Sequence, residues 1–99
     1  MFARVSHARY PSEHREIGLQ VILDELLPAL RQSGGYQGCC LLADGKPGTG
    51  LSVVLWESEQ AANNAAMNSN VSAAHVKLAK LGLVIDTRQI YDVVVCDRW

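Results

Sequence analysis

Histidines are the side chains best suited to move a proton near neutral pH, and two of them lie in patterns that can place them on a pocket wall. The stretch "SAAHVK" has helical character, and an apolar stripe passes through Met67, Val71, Ala74, Leu78 and Leu81. His75 falls at the edge of that stripe beside Val71, whereas Lys77 and Lys80 fall on the other side. It is either a boundary histidine with one nitrogen in water or a base or ligand. His7 stands mid-strand with Ala3, Val5 and Arg9 on one face, opposite Phe2, Arg4, Ser6 and Ala8. It can act as a second base or form a hydrogen bond within a dimer interface.

Other residues can hold a ligand. Trp56 ends an apolar run next to Glu57-Ser58, where a large ring either packs the strand-to-helix junction or stacks on a substrate. Asn63, Asn64, Asn68 and Asn70 are many amides for one helix. Asn64 and Asn68 are candidate substrate contacts if the amides reach into a cavity; otherwise they form a solvated face with local capping. Asp92 lies within an apolar segment, and a buried carboxylate there requires a partner such as Arg4, Arg9 or Arg88.

Cys39, Cys40 and Cys96 are odd in number, and adjacent residues in a strand point to opposite faces. A disulfide framework is therefore not expected, and the spacing is not that of structural zinc. No metal is expected. The cysteines read as small hydrophobes in a reduced compartment. Nine Lys and Arg against ten Asp and Glu give a formal net charge of -1, with no basic stripe for nucleic acid. The start carries Arg4 and Arg9 and no apolar signal core, and no run approaches the ~20 residues that span a bilayer. The expectation is a soluble, cytoplasmic protein with no nucleic-acid or membrane partner.

The elements that must position these residues follow from periodicity. "FARVSHARY" alternates as a half-buried strand, and Pro11-Ser12 stops it and offers a helix N-cap. In the following helix Ile17, Val21, Leu23, Leu26, Leu27 and Leu30 recur at helical spacing, and Gly34-Gly35 ends it. Pro28 should kink its last turns. "YQGCCLLA" and "LSVVLWE" flank the turn-rich "DGKPGTG" and read as a hairpin. Ser58 caps a second, Ala-rich helix that Gly82 ends; Asn68-Ser69-Asn70 either breaks it or is carried through. "TRQIYDVVVCDRW" reads as the last strand.

The order β-α-β-β-α-β is the ferredoxin-like α+β arrangement, a four-stranded antiparallel sheet with helices on one face. The last two strands are apolar on both sides, with Val53, Leu55, Val93 and Val95 beside Val54, Val94 and Cys96. The face without helices therefore needs a cover, which a homodimer supplies most simply.

"MFARV", "LLPALRQSGGYQG" and "GLSVVLWESEQA" together resemble the antibiotic biosynthesis monooxygenase-like domains of the dimeric α+β barrel superfamily. The resemblance covers nearly all of residues 1–99, read as one domain. It implies a homodimer with a pocket between sheet and helices that binds a small apolar or aromatic molecule. In cofactor-independent monooxygenases of this kind, an electron-rich substrate is deprotonated and reacts directly with oxygen. No cofactor is then expected. The superfamily also includes haem-degrading enzymes that use a strand-one Asn, a Trp in helix two and a His further along that helix as iron ligand. Here Ser6-His7 and Asn64-Ala65-Ala66 stand where the Asn and Trp are expected, and only His75 falls near its place. A haem protein using His75 and a non-catalytic metabolite-binding dimer are the alternative readings.

Overall fold

The computed structural model describes residues 1–43 and 45–97. Strands β1 (Phe2–Arg9), β2 (Tyr36–Ala43), β3 (Thr49–Trp56) and β4 (Val84–Asp92) form one antiparallel sheet in the order β2-β3-β1-β4. Between β1 and β2 come a 3-10 turn (Ser12–His14), α1 (Arg15–Val21), a π-helical turn (Ile22–Leu26) and α2 (Leu27–Arg31). Between β3 and β4 come α3 (Glu59–Ala66) and α4 (Ser69–Lys80). This is the expected ferredoxin-like topology, with the helices on one face of the sheet.

The first helical segment departs from the sequence expectation at both ends. Pro11 occupies the cap position and no side chain caps the turn that follows, so Ser12 is not the N-cap and the α-helix begins at Arg15. Pro28 lacks an N–H for the fourth carbonyl back, and the chain answers with a wide turn in which the Leu27 N–H reaches the Ile22 carbonyl. That turn shifts the phase of the apolar stripe. Ala29 and Leu30 are buried, whereas Ile17 and Leu23, both expected in the core, are each 56 % exposed.

The second segment is broken. Ser58 has extended backbone and its Oγ accepts the Ala61 N–H at 3.1 Å, which starts α3 as expected. Asn68 then caps α4, its Oδ1 accepting the N–H groups of Asn70 at 2.8 Å and Val71 at 3.2 Å. The break takes Met67 off the apolar stripe and leaves it exposed. Gly82 closes α4 at φ +98°, with Leu83 N–H bonded to the Leu78 carbonyl and Gly82 N–H to that of Ala79. Gly35 is also required: at φ +84°, a Cβ there would lie 2.6 Å from that of Ala61.

The last strand runs three residues earlier and ends sooner than the sequence predicts. Among the described residues the only strand beside β4 is β1, and its last pair is Phe2 with Asp92. One further backbone bond, from the Val93 N–H to the Met1 carbonyl at 3.0 Å, follows that pair, and β1 offers nothing beyond Met1, so Val94 and Val95 leave the sheet and are 89 % and 83 % exposed. Asp92 is consequently exposed and is not the buried carboxylate expected. Arg9, one of its expected partners, instead grips Asp86 through contacts of 2.9–3.1 Å. Asp86 is the extra residue where the β1–β4 register shifts. The end of the expected strand, Arg98 and Trp99, lies outside the described residues, as does Asp44 of the hairpin tip.

Candidate functional site

The floor of the site is the helix-facing side of the sheet, and its residues on the two central strands are small. Ser6 and Ala8 of β1 and Gly50 and Ser52 of β3 lie beneath Gly18, Ile22 and Leu26, with Leu78 of α4 beside them. Small side chains on facing layers cannot fill the space between them. The result is an apolar cavity of about 250 Å³. It continues into a smaller lobe of about 110 Å³ bordered by Arg4, Cys39, Val54, Trp56 and Arg88. Ser6, Ser52 and His75 border both lobes.

His75 is placed by α4, which buries Val71, Ala74 and Leu78 and leaves the imidazole half-buried on the cavity wall. Burial, and then the nearby Arg88 charge, lower its pKa below the ordinary histidine value. The ring is therefore neutral at pH 7 and has a lone pair available to accept a proton.

Trp56 is 2 % exposed and meets Tyr36 edge-on, with ring centroids 5.8 Å apart and planes at 79°. It packs the β3–α3 junction and also borders the small lobe. Its Nε1 is buried without a hydrogen-bond partner, as is Nε of Arg4. Cys39 faces the small lobe, where burial raises its thiol pKa, while its register partner Val54 borders the same lobe. Cys39, Cys40 and Cys96 are all free.

Three of the sequence-predicted site residues are placed elsewhere. His7 is exposed on the open face of the sheet, between Leu51 and Thr87. Asn64 is exposed on α3, and Asn68 is occupied as the cap of α4; neither borders the cavity. Asn63 is engaged too, its Oδ1 accepting from Arg4 Nη2 at 3.0 Å. His75 and Trp56 are the two candidates that the fold brings together.

Sequence reasoning missed His14 and the cavity role of Arg4 and Arg88. His14 borders the larger lobe and its Nδ1 lies 2.8 Å from the Leu81 carbonyl, so Nδ1 carries the proton and donates it. It ties the first helical segment to the end of α4. Periodicity gives no sign of it, because it sits in a 3-10 turn. Arg4 shares its face of β1 with the small Ser6 and Ala8, and that alternation was the available signal.

A haem fits poorly. The two lobes together lie at the low end of the ~300–1,000 Å³ of ordinary drug-sized sites, a tight space for a tetrapyrrole. Of the three positions that the haem-degrading pattern uses, only His75 offers the required group. Among the described residues no three His, Cys, Asp or Glu side chains group to hold a metal, and no helix is long and apolar enough to cross a membrane.

No protein-family model matches the chain, and no curated protein matches it. Solved structures do. One is a protein of Deinococcus radiodurans provisionally described as an antibiotic biosynthesis monooxygenase, with a TM-score of 0.81 and 18 % identity over 100 % of this chain and 98 % of that one. SnoaB, a cofactor-independent oxygenase from Streptomyces nogalater, aligns with a TM-score of 0.74 and 12 % identity over 96 % of this chain and 94 % of its own. HapK from Hahella chejuensis reaches 0.82 at 6 % identity, over 100 % and 98 %. Identities this low speak for backbone shape and not for chemistry. The chain has the ferredoxin-like α+β fold of the antibiotic biosynthesis monooxygenase-like proteins, as its sequence resemblance implied.

Proposed function

We propose that the chain forms a homodimer in which each helix-covered cavity binds a small, largely apolar or aromatic molecule and oxidises it with molecular oxygen, without a cofactor. The observation that carries this reading is the neutral His75 imidazole on the wall of an apolar cavity. His75 takes a proton from an electron-rich substrate such as a phenol, quinol or anthrone. For an anthrone-type methylene, the resulting carbanion gives its electrons to O₂. One oxygen atom stays as the new carbonyl and the other leaves as water with the two displaced hydrogens. The substrate supplies all four electrons, so no external reductant enters. The fold shared with a cofactor-independent oxygenase supports the same reading.

The dimer is supported by the open face. Val5, Leu51, Val53 and Leu55 present apolar side chains there, and Leu42 and Tyr91 on the same face are 48 % and 50 % exposed. A second copy covering this face would bury about 2,000 Å² or more in total. His7 then lies in the interface.

The test is a screen of phenols, quinols and anthrones for oxygen uptake by the purified protein, with sedimentation at micromolar concentration alongside. Uptake without added cofactor, by a dimer, is the expected result. Saturable binding with no uptake would leave a metabolite-binding dimer and remove the enzyme reading. A stable monomer would remove the dimer. A Soret shift on adding haemin would count against the size argument.

A further inference from the structure

Two arginines border the small lobe. Arg4 and Arg88 lie on neighbouring strands and the same face: Arg4 is opposite Ile90, and Arg88 is opposite Ser6, which places the two at a diagonal. Both border the lobe. Neither forms an ion pair with a described carboxylate, Asp86 being held by Arg9. Arg4 spends one guanidinium nitrogen on Asn63 and keeps a buried Nε without a partner. Trp56, 2 % exposed, lines the same lobe with its Nε1 also unpartnered.

Two guanidinium groups of like charge border one lobe, and their mutual repulsion is relieved by an anion placed between them. An acceptor-only group is what such a set lacks, and a carboxylate matches guanidinium geometry best. Building on the cavity reading above, we propose that the small lobe is a carboxylate subsite: Arg4 and Arg88 hold the acid group of an aromatic carboxylic acid. Its ring extends past His75 into the larger apolar lobe. This makes the substrate class an arene carboxylic acid, and it orients the ring so that the carbon far from the acid group lies in the apolar lobe.

Calorimetric titration at pH 7 with 2-naphthoate and its uncharged isostere 2-naphthamide tests this. The parent should bind the carboxylate about tenfold more tightly than the amide. Arg88→Gln, at an exposed position of β4, should abolish most of that preference while leaving amide affinity unchanged. Arg88→Lys should retain part of it. Arg31→Gln, on the exposed end of α2, is the control, and thermal unfolding of each variant checks that it folds. Equal affinity for the two ligands in the parent, or a preference that survives Arg88→Gln and Arg4→Gln, would overturn the subsite and leave the cavity standing. If neither naphthyl compound binds, the cavity reading falls and the subsite with it.

Discussion

The two faces of the sheet are made by alternate residues of the same strands, and they differ in bulk. On β1 and β3 the helix-facing positions near the centre are Ser6, Ala8, Gly50 and Ser52, while the open-face positions are Val5, His7, Leu51 and Val53. At the centre of β1 and β3 the covered face therefore has the small residues and the uncovered face the large ones, the reverse of what a monomer seeking maximum burial would select. Under the helices the small floor produces a cavity. On the other side, large apolar side chains meet solvent until something covers them. On the proposed function, the alternation that would ordinarily divide core from surface divides a ligand site from an assembly surface.

Val53→Asp is the harshest way to break this comparison. If the open face is an interface, the new carboxylate is buried without a counter-charge, at a cost of about 3–5 kcal/mol by analogy with broken buried pairs. Sedimentation should show a monomer, or the protein should be insoluble; a dimer as tight as the parent's would mean that the face is free. Trp56→Ala removes the one large fully buried side chain among the described residues, and denaturant unfolding should report a loss of about 3–5 kcal/mol. A much smaller loss would mean that the small-residue side of the sheet is not anchored by this ring.

Ser52→Leu sharpens the contrast by filling the floor. Its side chain enters open space, so stability should change by less than the ~1–3 kcal/mol of an overpacked core, while ligand affinity drops by about tenfold or more. Unchanged affinity would put the ligand elsewhere. The smallest effect is the pH dependence of His75. Its folded pKa is depressed, so stability is full above the unfolded value near 6.5 and is lost as pH falls through that value toward the lower folded one. The slope stays below the one-proton limit of about 1.4 kcal/mol per pH unit, because solvent reaches part of the ring. Chemical unfolding of the parent and of His75→Gln at pH 7.5 and 5.5 measures it, and the variant should lack this contribution.

Strand alternation and helix spacing made the topology legible, and Ser58 and Gly82 marked helix ends because their roles are local: a hydroxyl reaching a nearby N–H and a backbone at positive φ. The site was less legible. Trp56 and His75 were found because each stands at a boundary between an apolar run and a polar one. The Asn residues of the second helical segment misled: amides suit a cavity and a helix cap equally well, and the break at Asn68 used one of them as a cap. The end of β4 was unreadable from Val93-Val94-Val95, since a β-branched run continues as a strand only where another strand lies beside it. Arg4 and Arg88 were read only as possible partners for Asp92, because register across two strands separated by most of the chain sets which side chains share a lobe.

The central claim, that the covered face holds a reactive site built around His75, is tested most directly by kcat/KM for oxygen uptake in the parent and in His75→Ala, with thermal unfolding measured in parallel. A positioned base contributes ~10²–10⁴-fold, so the variant should lose at least about a hundredfold in kcat/KM while giving up only about 1 kcal/mol of stability. A folded His75→Ala protein that turns over as fast as the parent would contradict it.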